Sequence, residues 1–184
     1  MNSKETARVP MLERDEAPEE ARPLYDKLLA ERHVVPNMFK VLANVAGMPQ
    51  AVAAFLKPLV GDGALPGWYK ELVATRVAAL NDCGYCVSAH RHSARQKGAT
   101  EEQIAACTTP DAGPFTERER AGLRYADLLH QSGAAVDEAA FAAVSAHFNA
   151  AELIELTMLA AAFEMFPRFV TALRIPVTKI PAEK

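Results

Sequence analysis

Glu71-Leu-Val-Ala-Thr-Arg-Val-Ala-Ala-Leu-Asn81-Asp82-Cys83-Gly-Tyr85-Cys86-Val-Ser-Ala-His90 is the stretch on which this chain turns. It holds two of the three cysteines in Cys-x-x-Cys spacing, with a histidine four residues after the second and a carboxylate twelve before the first. On a helix beginning at Cys83, successive residues advance by about 100°. Cys86 then falls at about 300° and His90 at about 340° from Cys83, so the three share one face. His92 falls at about 180°, on the other side.

Asn81-Asp82 interrupts the preceding apolar run, and Asp82 is the expected N-cap of a helix starting at Cys83. Both cysteines would then lie in the first turn, where unpaired amides and the helix dipole favour a thiolate. If the chain reverses at Asn81-Asp82, Glu71 runs back beside the second helix. At ~1.5 Å per residue, Glu71 is ~16 Å from the corner and His90 ~12 Å, a mismatch of less than one turn. A carboxylate–imidazole–thiol relay is therefore geometrically open. On the residues alone, three uses of the pair stand: redox chemistry, a metal site, or two small buried hydrophobes. The shared face with His90 favours redox. A structural zinc would want a fourth ligand, which His92 cannot supply and Glu71 supplies only by folding over.

Glu71, Cys83, Cys86 and His90, with Asn81 and Tyr85 between them, resemble the Glu-x11-Cys-x-x-Cys-x3-His signature of AhpD-like alkylhydroperoxidases, in the carboxymuconolactone decarboxylase superfamily. The match is close over residues 71–90, weaker over 36–98 and the last long helix, and poor before residue 36. The best-studied AhpD proteins carry a histidine where this chain has Tyr85. The resemblance implies an all-α AhpD-like bundle that reduces hydroperoxides with thiols. It implies Cys86 as the attacking sulfur, Cys83 as the resolving one, and Glu71 with His90 as a proton relay. Tyr85 and Asn81 would support the site. No bound cofactor is implied. The reductant would be an external dithiol on a lipoyl-bearing protein, and the assembly a homo-oligomer, a trimer or hexamer. Two alternatives remain: the acid–base decarboxylation of a lactone acid after which the superfamily is named, and a non-catalytic redox or disulfide-exchange protein. The intact cysteine pair argues against the decarboxylase.

Composition bounds the rest. The chain has 184 residues, 50% hydrophobic and 23% charged, with a net charge of −3. That is one ordinary domain's length, globular rather than disordered. No block of Lys and Arg interleaved with aromatics points to nucleic acid. The first eight residues lack the apolar core of a secretory signal, and the longest apolar run, near Met158–Phe163, is too short to span a membrane. Three cysteines do not make a structural disulfide framework. The expected location is the cytoplasm.

Residues 1–17, broken by Pro10, are expected to form an N-terminal arm, 18–176 an all-helical domain, and 177–184 a polar tail. Helices are expected over Pro18–Glu31, from a cap at Asn37 towards Gly47, over Pro49–Leu59 and Trp68–Leu80, and from Cys83 to a stop at Gly98. Thr100…Gln103, Thr116…Glu119 and Asn149…Glu152 are three capping boxes, opening helices to Cys107, to about His130, and towards Leu173. A further helix is expected over Asp137–Phe148, and Pro167 should kink the last one. No strand-like alternation competes, so the class is all-α. Glu71–Leu80 also echoes Glu152–Ala161, as a helical pseudo-repeat would. Cys107 reads as core, and His33, His92, His130 and His147 as surface or packing. Arg168-Phe169 resembles a region that the AhpD-like family uses for packing around the site, which implies a scaffold role.

Overall fold

Capping side chains set the element boundaries in the computed structural model, which describes residues 6–180. Thr100 Oγ1 accepts from the Gln103 amide at 3.2 Å, and Gln103 Oε1 accepts from the Thr100 amide at 3.0 Å. Thr116 with Glu119 and Asn149 with Glu152 make the same reciprocal pairs. Each box satisfies two amides that a helix start leaves unpaired. These boxes open α6 (Glu101–Ala106), α7 (Glu117–Gln131) and α9 (Ala150–Ala172). The other helices are α1 (Arg22–Arg32), α2 (Asn37–Leu42), α3 (Met48–Val60), α4 (Gly67–Leu80), α5 (Gly84–Gln96) and α8 (Glu138–Ser145). No strand occurs among the described residues. The class is all-α, as the sequence predicts. Residues 1–5 of the expected arm and 181–184 of the expected tail lie outside the described residues.

The described residues fall into two compact units, 6–57 with 169–180, and Pro58–Arg168. In the first, Tyr25 is fully buried, and its hydroxyl lies 3.1 Å from the Leu12 carbonyl and 3.3 Å from that of Phe39. Backbone bonds from Arg8 to Leu173 (2.8 Å) and from Leu12 to Lys40 (3.1 Å) tie down residues 6–17. Two local expectations need correction. The first α-helix starts at Arg22, after a 3-10 turn at Glu19–Ala21, because Pro23 fits a first turn whose amides are unpaired anyway. Asn37 is the first helical residue rather than the cap. Its side chain donates to the Pro176 carbonyl (3.0 Å) and its amide to Thr178 Oγ1 (3.0 Å).

The second unit is built on α4, which packs against α5 and α7. Leu72, Val73, Ala74 and Val77 are fully buried, and so are Lys70 and Thr75. A helix buried on every side must pair its polar groups internally. Lys70 Nζ meets Glu155 Oε2 at 2.7 Å and the Gly61 carbonyl at 2.9 Å, while the same carboxylate accepts the amides of Ala64 and Leu65. Burial pushes the Glu155 carboxyl up, but the bonds from Lys70 and the loop amides outweigh it and hold it below the usual range. The loop before α4 is thereby fixed to α9. Tyr69 donates to the Glu119 carbonyl at 2.8 Å over Gly122, where a side chain would strike its hydroxyl. Helix α9 continues through Pro167, and α3 likewise contains Pro58.

Candidate active site

Between the end of α4 at Leu80 and the start of α5 at Gly84, the chain reverses through Asn81, Asp82 and Cys83. Asp82 takes φ 51°, in the left-handed region that short polar side chains tolerate. It turns the corner and does not cap the helix. The N-cap is Cys83, whose Sγ accepts from the Cys86 amide at 3.2 Å. The expected position of Cys83 in the first helical turn is corrected accordingly. Its sulfur still receives the helix-start amide that favours negative charge there.

Cys83 and Cys86 are joined in a disulfide across a Cα–Cα distance of 5.3 Å. Both are buried, with 1% and 4% of their surfaces exposed. His90 lies four residues beyond Cys86, one turn along the same face of α5. Its Nδ1 is 2.7 Å from Oε2 of Glu71, on α4. The edge-to-face contact with Phe163, centroids 4.5 Å apart, fixes the imidazole from the α9 side. Glu71 is 2% exposed, and its second oxygen, Oε1, is 2.5 Å from Lys97 Nζ. Burial alone would raise the Glu71 carboxyl, but His90 and Lys97 together overcome it and lower it below the ordinary value. An ionised Glu71 can only accept, so Nδ1 of His90 donates the proton of this bond, which leaves Nε2 as the nitrogen turned to other partners.

Asn81 closes the corner from behind. Its Nδ2 donates to the Val77 carbonyl at 2.9 Å and lies 3.1 Å from each carboxylate oxygen of Glu164, on α9. Glu164 also takes His130 Nδ1 at 2.8 Å and Arg168 Nη2 at 3.1 Å. His130 is thus no mere packing histidine but half of a second carboxylate–imidazole pair, a correction to its sequence assignment. Tyr85 sits half-buried in the first turn of α5. Cys107 is fully buried and donates to the Ile104 carbonyl at 3.1 Å. Burial pushes its thiol up, although Arg91 and Arg76 act against that.

Of the residues singled out in the sequence, Glu71 and His90 meet directly, Cys83 and Cys86 are bonded one turn before His90, and Asn81 braces the corner from its other side. Lys97, Phe163 and Glu164 were missed. Lys97 carried only the weak signal of a lysine beside a helix-ending glycine, and the other two none, because α9 is distant in sequence.

The profile of the carboxymuconolactone decarboxylase family matches residues 46–128, which include all of α4 and α5. Protein 4 of the cox locus of Paracoccus denitrificans is 37% identical over 81 residues, 44% of this chain and 68% of that one. The fold is similar to that of a peroxidase-related protein with an alkylhydroperoxidase AhpD core from Ralstonia eutropha JMP134, with a TM-score of 0.87. That protein is 24% identical, and the match covers 94% of this chain and 93% of the other. A debrominase has a similar fold too, with a TM-score of 0.81 and 21% identity over 97% of this chain and 94% of its own, so the fold alone does not choose the reaction. Motif, family profile and helical arrangement agree: the chain belongs to the carboxymuconolactone decarboxylase family, with an AhpD-like fold.

Proposed function

We propose that the protein is a thiol-dependent alkylhydroperoxide reductase. The observation that carries this is the Glu71–His90 hydrogen bond, set one helical turn beyond a Cys83–Cys86 disulfide. In the reduced protein, His90 Nε2 takes the Cys86 proton, and the thiolate attacks the terminal peroxide oxygen. The O–O bond breaks, the alkoxide takes the proton back from His90, and Cys86 is left as a sulfenic acid. The Cys83 thiol displaces water from it and forms the disulfide. An external dithiol, of the lipoyl type, then attacks Cys86, and Cys83 leaves as a thiolate stabilised by the Cys86 amide. The dithiol becomes a disulfide, so each turn converts one hydroperoxide to an alcohol and water.

Desolvation disfavours a thiolate in so buried a position. A neutral imidazole oriented by an ionised carboxylate supplies the base that such a site needs. Asn81 holds the corner, and Tyr85 lines the same first turn. The protein would bind no cofactor and work in the cytoplasm, as a homo-oligomer, where a lipoyl-bearing protein can reset it. No described helix is long and apolar enough to cross a membrane.

Mass spectrometry of the reduced protein, before and after stoichiometric cumene hydroperoxide, tests this directly. The expected result is a loss of two hydrogens mapping to Cys83 and Cys86, reversed by dihydrolipoamide. Thiols inert to peroxide, with turnover of a lactone acid instead, would place the protein with the acid–base members of the family.

A further inference from the structure

Glu71 divides its two oxygens between two partners, with His90 Nδ1 on Oε2 at 2.7 Å and Lys97 Nζ on Oε1 at 2.5 Å. Lys97 is the C-cap of α5, just past Gln96, and is followed by Gly98 at φ 98°. A lysine at that place ordinarily stays at the helix terminus, where its charge suits the dipole. Here the side chain turns inward, and Nζ also donates to the carbonyl of Val60, the last residue of α3, at 2.6 Å. Only 3% of the Glu71 side chain is exposed, against 32% for Lys97.

A carboxylate this deep needs a countercharge. If Lys97 gave none, the Glu71–His90 couple would supply its own by holding a proton, and an imidazole already protonated takes none from a thiol. We propose that Lys97 is a positioning residue for the relay: its ammonium neutralises Glu71, so that His90 rests uncharged and free to accept the Cys86 proton. The other groups around the imidazole leave this task to Lys97. From α9 it meets the uncharged Phe163 ring, while Glu164 is engaged by His130, Arg168 and Asn81. On α5, the Arg91 charge acts to lower the Cys107 thiol, and Cys86 is the proton donor itself.

The proposal rests on the thiol reading of the site, but it is tested by a readout that needs no peroxide. The His90 ring is titrated by NMR in the reduced wild type, Lys97→Gln and Lys97→Arg, and Cys86 alkylation by iodoacetamide is followed over the same pH range. Glutamine keeps a donor for Glu71 and Val60 while removing the charge. The expected result is that both midpoints rise together in Lys97→Gln, by about one pH unit, and stay at the wild-type position in Lys97→Arg. In a Glu71→Gln background, Lys97→Gln should move neither. An unchanged imidazole midpoint in folded Lys97→Gln, or an effect that persists without Glu71, overturns the proposal. Should Lys97→Gln not fold, a raised midpoint in Lys97→Arg overturns it equally. A wild type that consumes no cumene hydroperoxide while the midpoints still shift removes the peroxidase assignment and leaves the countercharge role standing.

Discussion

Glu71 and His90 are separated by 19 positions in the chain, yet Oε2 of one lies 2.7 Å from Nδ1 of the other. The corner at Asn81–Cys83 makes this possible by sending α5 back along α4 with the two residues at nearly equal distances from the turn. The contact orients the imidazole and fixes its tautomer, and the following consequences can be measured.

Cys86→Ser should reduce hydroperoxide consumption to the uncatalysed level. Cys83→Ser should still react once and stop at a sulfenic acid, which dimedone labelling and mass spectrometry detect on Cys86. Unchanged turnover in Cys86→Ser would reassign the attacking sulfur.

His90→Ala removes the base beside the thiol. Alkylation of Cys86 at neutral pH should slow by about a hundredfold, the low end for a positioned acid–base group. An alkylation rate that varies with pH alike in both proteins would remove His90 from the relay.

The lowered Glu71 carboxyl fixes the sign of a stability change. The unfolded chain takes up its proton at a higher pH than the folded one, so the stabilisation is complete above the ordinary glutamate value of 4.5 and drains away as pH falls below it. Urea unfolding from pH 6 to pH 3 should therefore show a shallower loss of stability in Glu71→Gln than in the wild type. Equal slopes would mean that Glu71 is not held ionised by its partners.

Gly122→Ala would drive a methyl into the Tyr69 hydroxyl and to 3.1 Å from the Phe148 ring. Overpacking of this kind costs about 2 kcal/mol, read as a lower urea midpoint. Adding Tyr69→Phe removes the struck atom and should recover part of the loss. A neutral Gly122→Ala would show that α7 can shift away from α4.

Much of this molecule was legible because the signals act over a few residues. The capping boxes at Thr100, Thr116 and Asn149 form within one turn, so the start of each helix follows from four adjacent residues. The Cys-x-x-Cys-x3-His spacing likewise carries its own geometry once a helix is granted. Asp82 was misassigned because cap and left-handed turn favour the same short polar residues, and only the direction of the following chain separates the two roles.

The sequence by itself determined the all-α class, the helices, and the local order of cysteine, cysteine and histidine. Tertiary structure alone decided which long side chains reach the site. Lys97 turns from a helix end onto Glu71, and Phe163 and Glu164 arrive from a helix more than 70 positions beyond His90. No pattern along the chain encodes such meetings. They arise when α4 is buried on every side, and its carboxylate must be neutralised by whatever cations the packed helices bring within reach.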